Sequence, residues 1–317
     1  MPEKNLSSKP PAIFLMGPTA TGKTDLAITL YQTLPVELIS VDSTLVYRGL
    51  DIGSGKPTQA QLEIAPHRLI DCCEPNKPYS AASFRKDALK EMEGIVNQGK
   101  IPLLVGGTML YFKALQNGLS PLPEANAKIR KELEEEAKIT GWPALHNKLK
   151  NLDPKAAARI EPQDKQRIAR ALEVFKVTGK PLSNHFEDLG DSAFPYQLTA
   201  LALVPEETER KSLHDRIEMR FDNMLKKGLI EEVIGLKARG DCHLDLPAIR
   251  SVGYRQVWQY LDGVFGYQEM REQAIAATRQ LAKRQLTWLR HWEGVYYFDY
   301  RGSSLKEEVI SNLSKLF

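Results

Sequence analysis

Residues Gly17-Pro18-Thr19-Ala20-Thr21-Gly22-Lys23-Thr24 match the spacing G-x-x-x-x-G-K-T, and the residues of this pattern suit a phosphate. The glycines let successive backbone N–H groups turn inward around an anion, Lys23 adds a point charge, and the Thr24 hydroxyl is the kind of group that ligates Mg²⁺. Such a loop grips any diphosphate or triphosphate. Phosphoryl chemistry usually adds an apolar strand ending in Asp, which holds the metal and the attacking water. Here the best strand of that kind, Ile101 to Val105, runs instead into Gly106-Gly107-Thr108. A carboxylate follows a different apolar run, Val36 to Val41, as Asp42-Ser43. Asp42 either caps the next turn or reaches the rim where open α/β sheets bind ligands. Thr108 suits a tight turn and a helix N-cap.

Other chemistry-bearing residues lie on helical patterns. Arg216 and Arg220, four apart, form a stripe that could reach a phosphate or pair with Asp215, Glu218 or Asp222. The stretch from Arg279 to Trp292 mixes cations, amides and indoles. That mixture suits phosphates, base edges and unstacked bases, but also a solvated helix with Trp288 and Trp292 in the core. The run Asp164 to Arg170 invites the same two readings. The histidines are scattered, and Cys72, Cys73 and Cys242 offer no Cys-x-x-Cys pair for zinc. The cysteine usage fits a reduced, cytoplasmic compartment.

The elements that must position these groups follow from periodicity. Ala12 to Met16 reads as a strand ending at Gly17, and Asp25 to Leu34 as a helix; Val36 to Val41, Ala81 to Val96 and Ile101 to Val105 continue the alternation. This predicts an α/β domain with a mostly parallel sheet covered on both faces. From residue 121 to 195 the texture is helical, with Asp153-Pro154 as a start signal and Gly179 as a stop. The expected organisation is therefore a core from 1–120 and 196–317, interrupted by an all-helical insertion. A strand at Leu198 to Val204, one long helix from Ser212 to Arg239, another from Tyr267 to Trp292 and a strand at Val295 to Phe298 complete it. With 42% hydrophobic residues the chain can bury such a core, and a net charge of +3 permits a polyanionic partner without requiring one. The short apolar run at the N-terminus fits neither a signal sequence nor a membrane span.

At a finer level the residues become specific. The phosphate loop, Ile39-Ser-Val-Asp-Ser43, Tyr47-Arg48-Gly-Leu-Asp-Ile-Gly53 with Lys56-Pro57, and Val105-Gly-Gly-Thr108 with Tyr111 closely resemble the bacterial tRNA dimethylallyltransferase (tRNA isopentenyltransferase) family. So do Arg167 to Val174, Arg216-Ile-Glu-Met-Arg220, Ile249 to Arg255 and Ala277 to Gln285, in order along nearly the whole chain. The resemblance implies a P-loop NTPase-like fold. It also implies transfer of a dimethylallyl group from dimethylallyl diphosphate to N6 of adenosine 37 in tRNAs reading codons that begin with U. The helical insertion would clasp the anticodon stem-loop while the target base is extruded. The resemblance implies Mg²⁺ as cofactor, and the chain is expected to be a cytoplasmic monomer without a membrane partner.

Carried over residue by residue, the resemblance makes Asp42 the general base. Lys23, Thr24 with Mg²⁺, and Arg220 become the groups that neutralise the leaving diphosphate, which Gly17 to Thr24 cradle. Thr108 would hydrogen-bond near the bridging oxygen or target nucleotide. Contacts to tRNA are implied at Asp42, Ser43, Thr44, Leu45, Thr108 and Arg130, and along Gln166, Arg167, Ile168, Ala169 and Arg170. Further contacts are implied along Pro247, Ala248, Ile249, Arg250, Ser251 and Val252, and along Gln280, Leu281, Ala282, Lys283, Arg284, Gln285, Leu286 and Thr287. Leu45 stands where many members have Gln, and Met109 where relatives commonly have Gly. The zinc-finger extension of eukaryotic relatives has no counterpart in this sequence. The rival expectations are a small-molecule or nucleotide kinase, and a non-catalytic RNA-binding protein.

Overall fold

The computed structural model describes residues 9–120, 122–185, 194–206 and 210–314. The chain divides into two compact units, one reaching to Gln116 and resuming at Phe194, the other formed by the residues between.

The first unit opens with β1 (Pro11–Met16), α1 (Lys23–Thr33), β2 (Val36–Val41), α2 (Gln59–Ile64), β3 (His67–Arg68), α3 (Ala81–Asn97), β4 (Ile101–Gly106) and α4 (Met109–Asn117). The second contains α5 (Ala127–Thr140), α6 (Trp142–Leu152), α7 (Pro154–Ala157), α8 (Lys165–Thr178) and α9 (Leu182–His185). The first then resumes with β5 (Gln197–Val204), α10 (Arg210–Lys226), α11 (Leu229–Ala238), α12 (Tyr254–Leu261), α13 (Tyr267–Arg290), β6 (Val295–Asp299) and α14 (Leu305–Leu313).

The six strands form one parallel sheet in the order β3-β2-β4-β1-β5-β6. Its inner strands are mostly apolar, β1 and β4 throughout, for a physical reason: both faces are covered. Along β1, Ala12, Phe14 and Met16 enter one core with Phe84, Met92 and Phe112, whereas Ile13 and Leu15 enter another with Leu26 and Leu30. The expected α/β class with a mostly parallel sheet is the one observed. Because β1 lies between β4 and β5, the chain leaves it in opposite directions on its two sides. The carboxyl ends of β1, β2 and β4 therefore open at the crevice where such sheets bind ligands.

The single helix expected from Ser212 to Arg239 is two helices. Gly228 stands between them at φ 97°, a left-handed conformation that ends α10 and starts α11 on a new axis. Together with α12 and α13 they enclose a third apolar core around Phe221, Val233, Tyr254 and Met270. The short α2 and β3 carry too few residues for a readable period, so no sequence signal announced them.

The helical unit packs around Leu133, Leu149, Ile168 and Leu172. Asp153 caps α7 by accepting from Ala156 N at 2.9 Å, and Gly179 ends α8, as the sequence signals indicate. Of the expected edges of this insertion, Pro121 lies outside the described residues, while residue 195 is described and falls in the first unit, which resumes at Phe194. Glu173, with no exposed surface, accepts from Arg130 Nε (2.9 Å), Arg170 Nη1 (2.8 Å) and Asn126 N (2.6 Å). Burial pushes its carboxyl upward, but these donors outweigh that and hold it below the usual glutamate range. Glu173→Ala removes the shared acceptor of Arg130, Arg170 and Asn126 N, and we expect it to destabilise this unit by about 2 kcal/mol in thermal or urea unfolding. The sign with pH follows from the depressed pKa. The contribution is complete above the unfolded glutamate value and lost as pH falls through the native one, so wild type and variant converge in acid.

Candidate active site

The phosphate loop follows β1 directly and wraps into α1. Thr21 Oγ1 donates to Pro18 O (2.9 Å), and Lys23 Nζ donates to the same carbonyl (2.6 Å), so both side chains tie the loop to itself. Ala20 holds φ 67°, a left-handed conformation unusual for a residue with a Cβ, and its carbonyl accepts from Arg216 Nε at 2.8 Å. Gln285 crosses from α13 to brace the loop: its Oε1 accepts from Thr19 N (3.0 Å) while its Nε2 donates to Gly107 O (2.8 Å). One buried amide thus ties the end of β4 to the P-loop.

A cleft of about 960 Å³ opens in front of this loop. Thr19 to Asp25, Asp42, Ser54 to Lys56, Arg216, Arg220 and Gln285 are among its lining residues. Asp42 Oδ1 accepts from Thr44 N (2.8 Å) and Leu45 N (3.3 Å), leaving Oδ2 without a partner among the described residues. The two readings of Asp42 are therefore compatible, since one oxygen caps the turn and the residue still lines the cleft. Burial raises its carboxyl above the usual aspartate range, against the opposing pull of those two amides and of Lys23 and Arg220. Lys23 is pushed down to about 7 by burial and by the charge of Arg220, with Asp42 opposing. Burial also lowers Arg220. Two cations and one carboxylate share this cleft, and the excess of positive charge suits an anionic ligand.

Pairing of Arg216 and Arg220 with their helix neighbours is overturned. Glu218 and Asp222 are taken by Arg271 (2.7 and 2.6 Å), and Glu218 also by Arg279 (2.9 Å), all from α13. Arg220 instead donates to Ser54 O (3.2 Å), and Arg216 lies over the Tyr300 ring at 5.1 Å. Thr108 does precede a helix, but its hydroxyl accepts from Ser43 N (3.0 Å) and donates to Ser43 Oγ (3.3 Å). It anchors the residue beside Asp42 and so couples the ends of β2 and β4.

The residues expected to meet tRNA separate into two sets. Ser43, Gln166, Arg167, Pro247, Arg250, Gln280, Lys283, Arg284 and Thr287 are exposed, and Thr44, Leu45, Ala169, Ser251, Val252, Leu281 and Leu286 are partly so. Ile168, Ala248, Ile249, Ala282 and Gln285 are buried, and for their side chains the expectation is corrected. The four apolar ones fill cores, and both ends of the Gln285 amide are spent on the loop. Arg130 and Arg170 are committed to Glu173. Trp292 is in the core as expected, but Trp288 is 43% exposed beside Lys283, Arg284 and Thr287. Met109, in place of glycine, is buried at 3% exposure. Sequence reasoning missed Glu232, Tyr254 and the bracing role of Gln285, because each acts on backbone groups distant in sequence.

These features define a P-loop α/β protein whose phosphate cleft carries a carboxylate from the end of β2, the strand beyond β4. The sequence matches the IPP transferase family over residues 45–292 and the isopentenyl transferase family over residues 11–72. It is 36% identical to the tRNA isopentenylpyrophosphate transferase of Bacillus halodurans, over 97% of this chain and 96% of that one, with a TM-score of 0.71. The tRNA delta(2)-isopentenylpyrophosphate transferase of Staphylococcus epidermidis is 31% identical over 98% of this chain and 100% of its own, with a TM-score of 0.69. A eukaryotic dimethylallyltransferase acting on tRNA is 26% identical over 97% of this chain and 80% of its own, with a TM-score of 0.79. The chain belongs to the tRNA dimethylallyltransferase (isopentenyltransferase) family, and is a tRNA prenyltransferase. The kinase and non-catalytic alternatives fall with that assignment. Among the described residues, no helix is long and apolar enough to cross a membrane.

Proposed function

We propose that this enzyme transfers the dimethylallyl group of dimethylallyl diphosphate to N6 of adenosine 37 in tRNAs reading codons that begin with U. The observation that carries the reading is the sharing of one cleft by the Asp42 carboxylate, the P-loop lysine and Arg220. In the reaction N6 attacks C1 of the prenyl group, the C1–O bond breaks, and diphosphate leaves with the bonding electrons. The N6 proton passes to Asp42, whose elevated pKa makes it a stronger base than an ordinary aspartate. Backbone N–H groups of the loop from Ala20 to Thr24, the Lys23 ammonium and Arg220 oppose the charge growing on the leaving group.

The donor set fits Mg²⁺, a cation that prefers oxygen ligands and substrate phosphates. Thr24 lines the cleft, and so does Ser40, whose buried hydroxyl has no partner. Thr24 would hold the ion together with the diphosphate oxygens. There the ion would screen negative charge on the leaving group. The exposed cations, Gln280 and Trp288 on α13 suit phosphates and unstacked bases, and we assign the helical unit to the anticodon stem-loop. Leu45, lining the cleft where relatives carry Gln, offers the adenine an apolar contact in place of a base-edge hydrogen bond.

The deciding experiment incubates the purified protein with unmodified tRNA, Mg²⁺ and labelled dimethylallyl diphosphate. Label should reach RNA and locate to adenosine 37; label that stays in the donor refutes the reading.

A further inference from the structure

The segment that follows the first turn beyond β2 is held by side chains from two distant helices. Glu232, in the first turn of α11, accepts from Asp51 N (2.9 Å) and Ile52 N (2.7 Å) with Oε2, and from Gly53 N (3.1 Å) with Oε1. The Tyr254 hydroxyl donates to the same Oε1 (2.6 Å) and accepts from Ser54 N (3.1 Å). Four consecutive backbone N–H groups are thereby bound by one carboxylate and one phenol, much as an anion fills a nest of amides. Burial and the Glu232 charge keep Tyr254 protonated, so it donates to the carboxylate while accepting from the loop.

The outer face of this segment bears on Arg220. Ser54 O is the hydrogen-bond acceptor found for that guanidinium among the described residues, at 3.2 Å. Gly55 holds φ 67°, and a Cβ placed there would stand 2.0 Å from Arg220 Nη2, so the backbone lies flat against the guanidinium. The nearest acids on α10, Glu218 and Asp222, lie two positions away on the other side of the helix, where α13 holds them, and so give Arg220 no alternative anchor. The direction of the Arg220 side chain is consequently set by the loop, and the position of the loop by Glu232 and Tyr254.

We propose that Glu232 and Tyr254 are positioning residues for prenyl transfer, acting through the backbone of Asp51 to Gly55 to hold Arg220 toward the leaving diphosphate. The proposal rests on the assignment of Arg220 to the diphosphate made above. Removing one hydroxyl from the relay lets the guanidinium drift by a fraction of its reach, and misplacement on the ångström scale is costly when charge must be met in a transition state.

The test is a double-mutant cycle on the full-length enzyme, reading kcat for prenyl transfer and KM for tRNA. Tyr254→Phe should lower kcat by about tenfold and leave KM for tRNA unchanged, and in an Arg220→Ala background it should have no further effect. Glu232→Gln, which keeps the side-chain shape but replaces one acceptor oxygen with an NH₂ group, should behave alike. Should it lose its fold, Tyr254→Phe carries the cycle alone. Multiplicative effects in the double variant, with Arg220→Ala itself impaired, would overturn the relay and leave the role of Arg220 standing. Wild-type kcat in Tyr254→Phe would do the same. Unchanged kinetics in Arg220→Ala would instead remove both Arg220 and the relay.

Discussion

Asp42→Asn should lower kcat by roughly a thousandfold, within the range for loss of a general base, while tRNA binding is retained. The exocyclic amine of adenine is a weak nucleophile until its proton has an acceptor, and an amide oxygen accepts far less readily than a carboxylate. The substitution is nearly isosteric, and an Asn oxygen still accepts from Thr44 N and Leu45 N, so the turn after β2 persists. The pH dependence tests the same point. Only ionised Asp42 takes a proton, so the wild-type rate falls as pH drops through a value that burial has raised above the ordinary aspartate range. That acid limb disappears in the Asn variant. Stability moves the opposite way, since a raised native pKa means that ionised Asp42 opposes folding at neutral pH; Asp42→Asn should therefore raise Tm. An unchanged kcat, or an acid limb that persists in the variant, would remove Asp42 from the mechanism.

Lys23→Ala is the second large effect, with kcat expected to fall by roughly 100- to 1,000-fold, as when one pre-organised donor to a developing anion is removed. Here too the sign with pH can be worked out. Free-enzyme Lys23 is pushed down to about 7, so kcat/KM should decline above neutrality as the ammonium deprotonates. Once diphosphate is bound its negative charge favours the ammonium again. The alkaline limb of kcat therefore lies at higher pH than that of kcat/KM. It also follows that diphosphate binding takes up a proton at a pH about one unit above the free-enzyme value. Calorimetry of diphosphate binding in buffers of different ionisation enthalpy measures that uptake, and Lys23→Ala provides the baseline for the ligand's own protons. Identical limbs in the two profiles, or equal proton uptake in wild type and variant, would contradict the scheme.

Much of this was legible in one dimension. A phosphate loop works through consecutive amides, so its eight residues from Gly17 to Thr24 announce it wherever a strand precedes and a helix follows. Strands buried on both faces need largely apolar runs, which is why β1 and β4, and β2 despite Glu37 and Ser40, stand out, and caps such as Asp153 and Gly179 act within a turn of their own position. The carboxylate at the end of β2 was visible for the same reason. What it does was not, because only the folded turn shows one oxygen of the carboxylate capping it and the other left without a partner among the described residues.

The rest was decided by packing between elements far apart in the chain. Along α10, Glu218 and Asp222 stand two positions from Arg220 and point away from it, and there α13 takes those acids while Arg216 and Arg220 line the cleft. Gln285 reads as an RNA-contacting amide until the fold brings it to Thr19, separated by 266 positions, and buries it. Glu232 looks like an ordinary helix-surface acid until four amides of another segment converge on it and its tyrosine partner. Local sequence determined which backbone would bind an anion and which segments would form the sheet and helices, because those properties depend on neighbours within a few residues. Only the tertiary structure determined which charges remain free and which polar groups are spent on the scaffold, because a charge or hydrogen bond is satisfied by whatever lies within about 3 Å in space, regardless of distance along the chain.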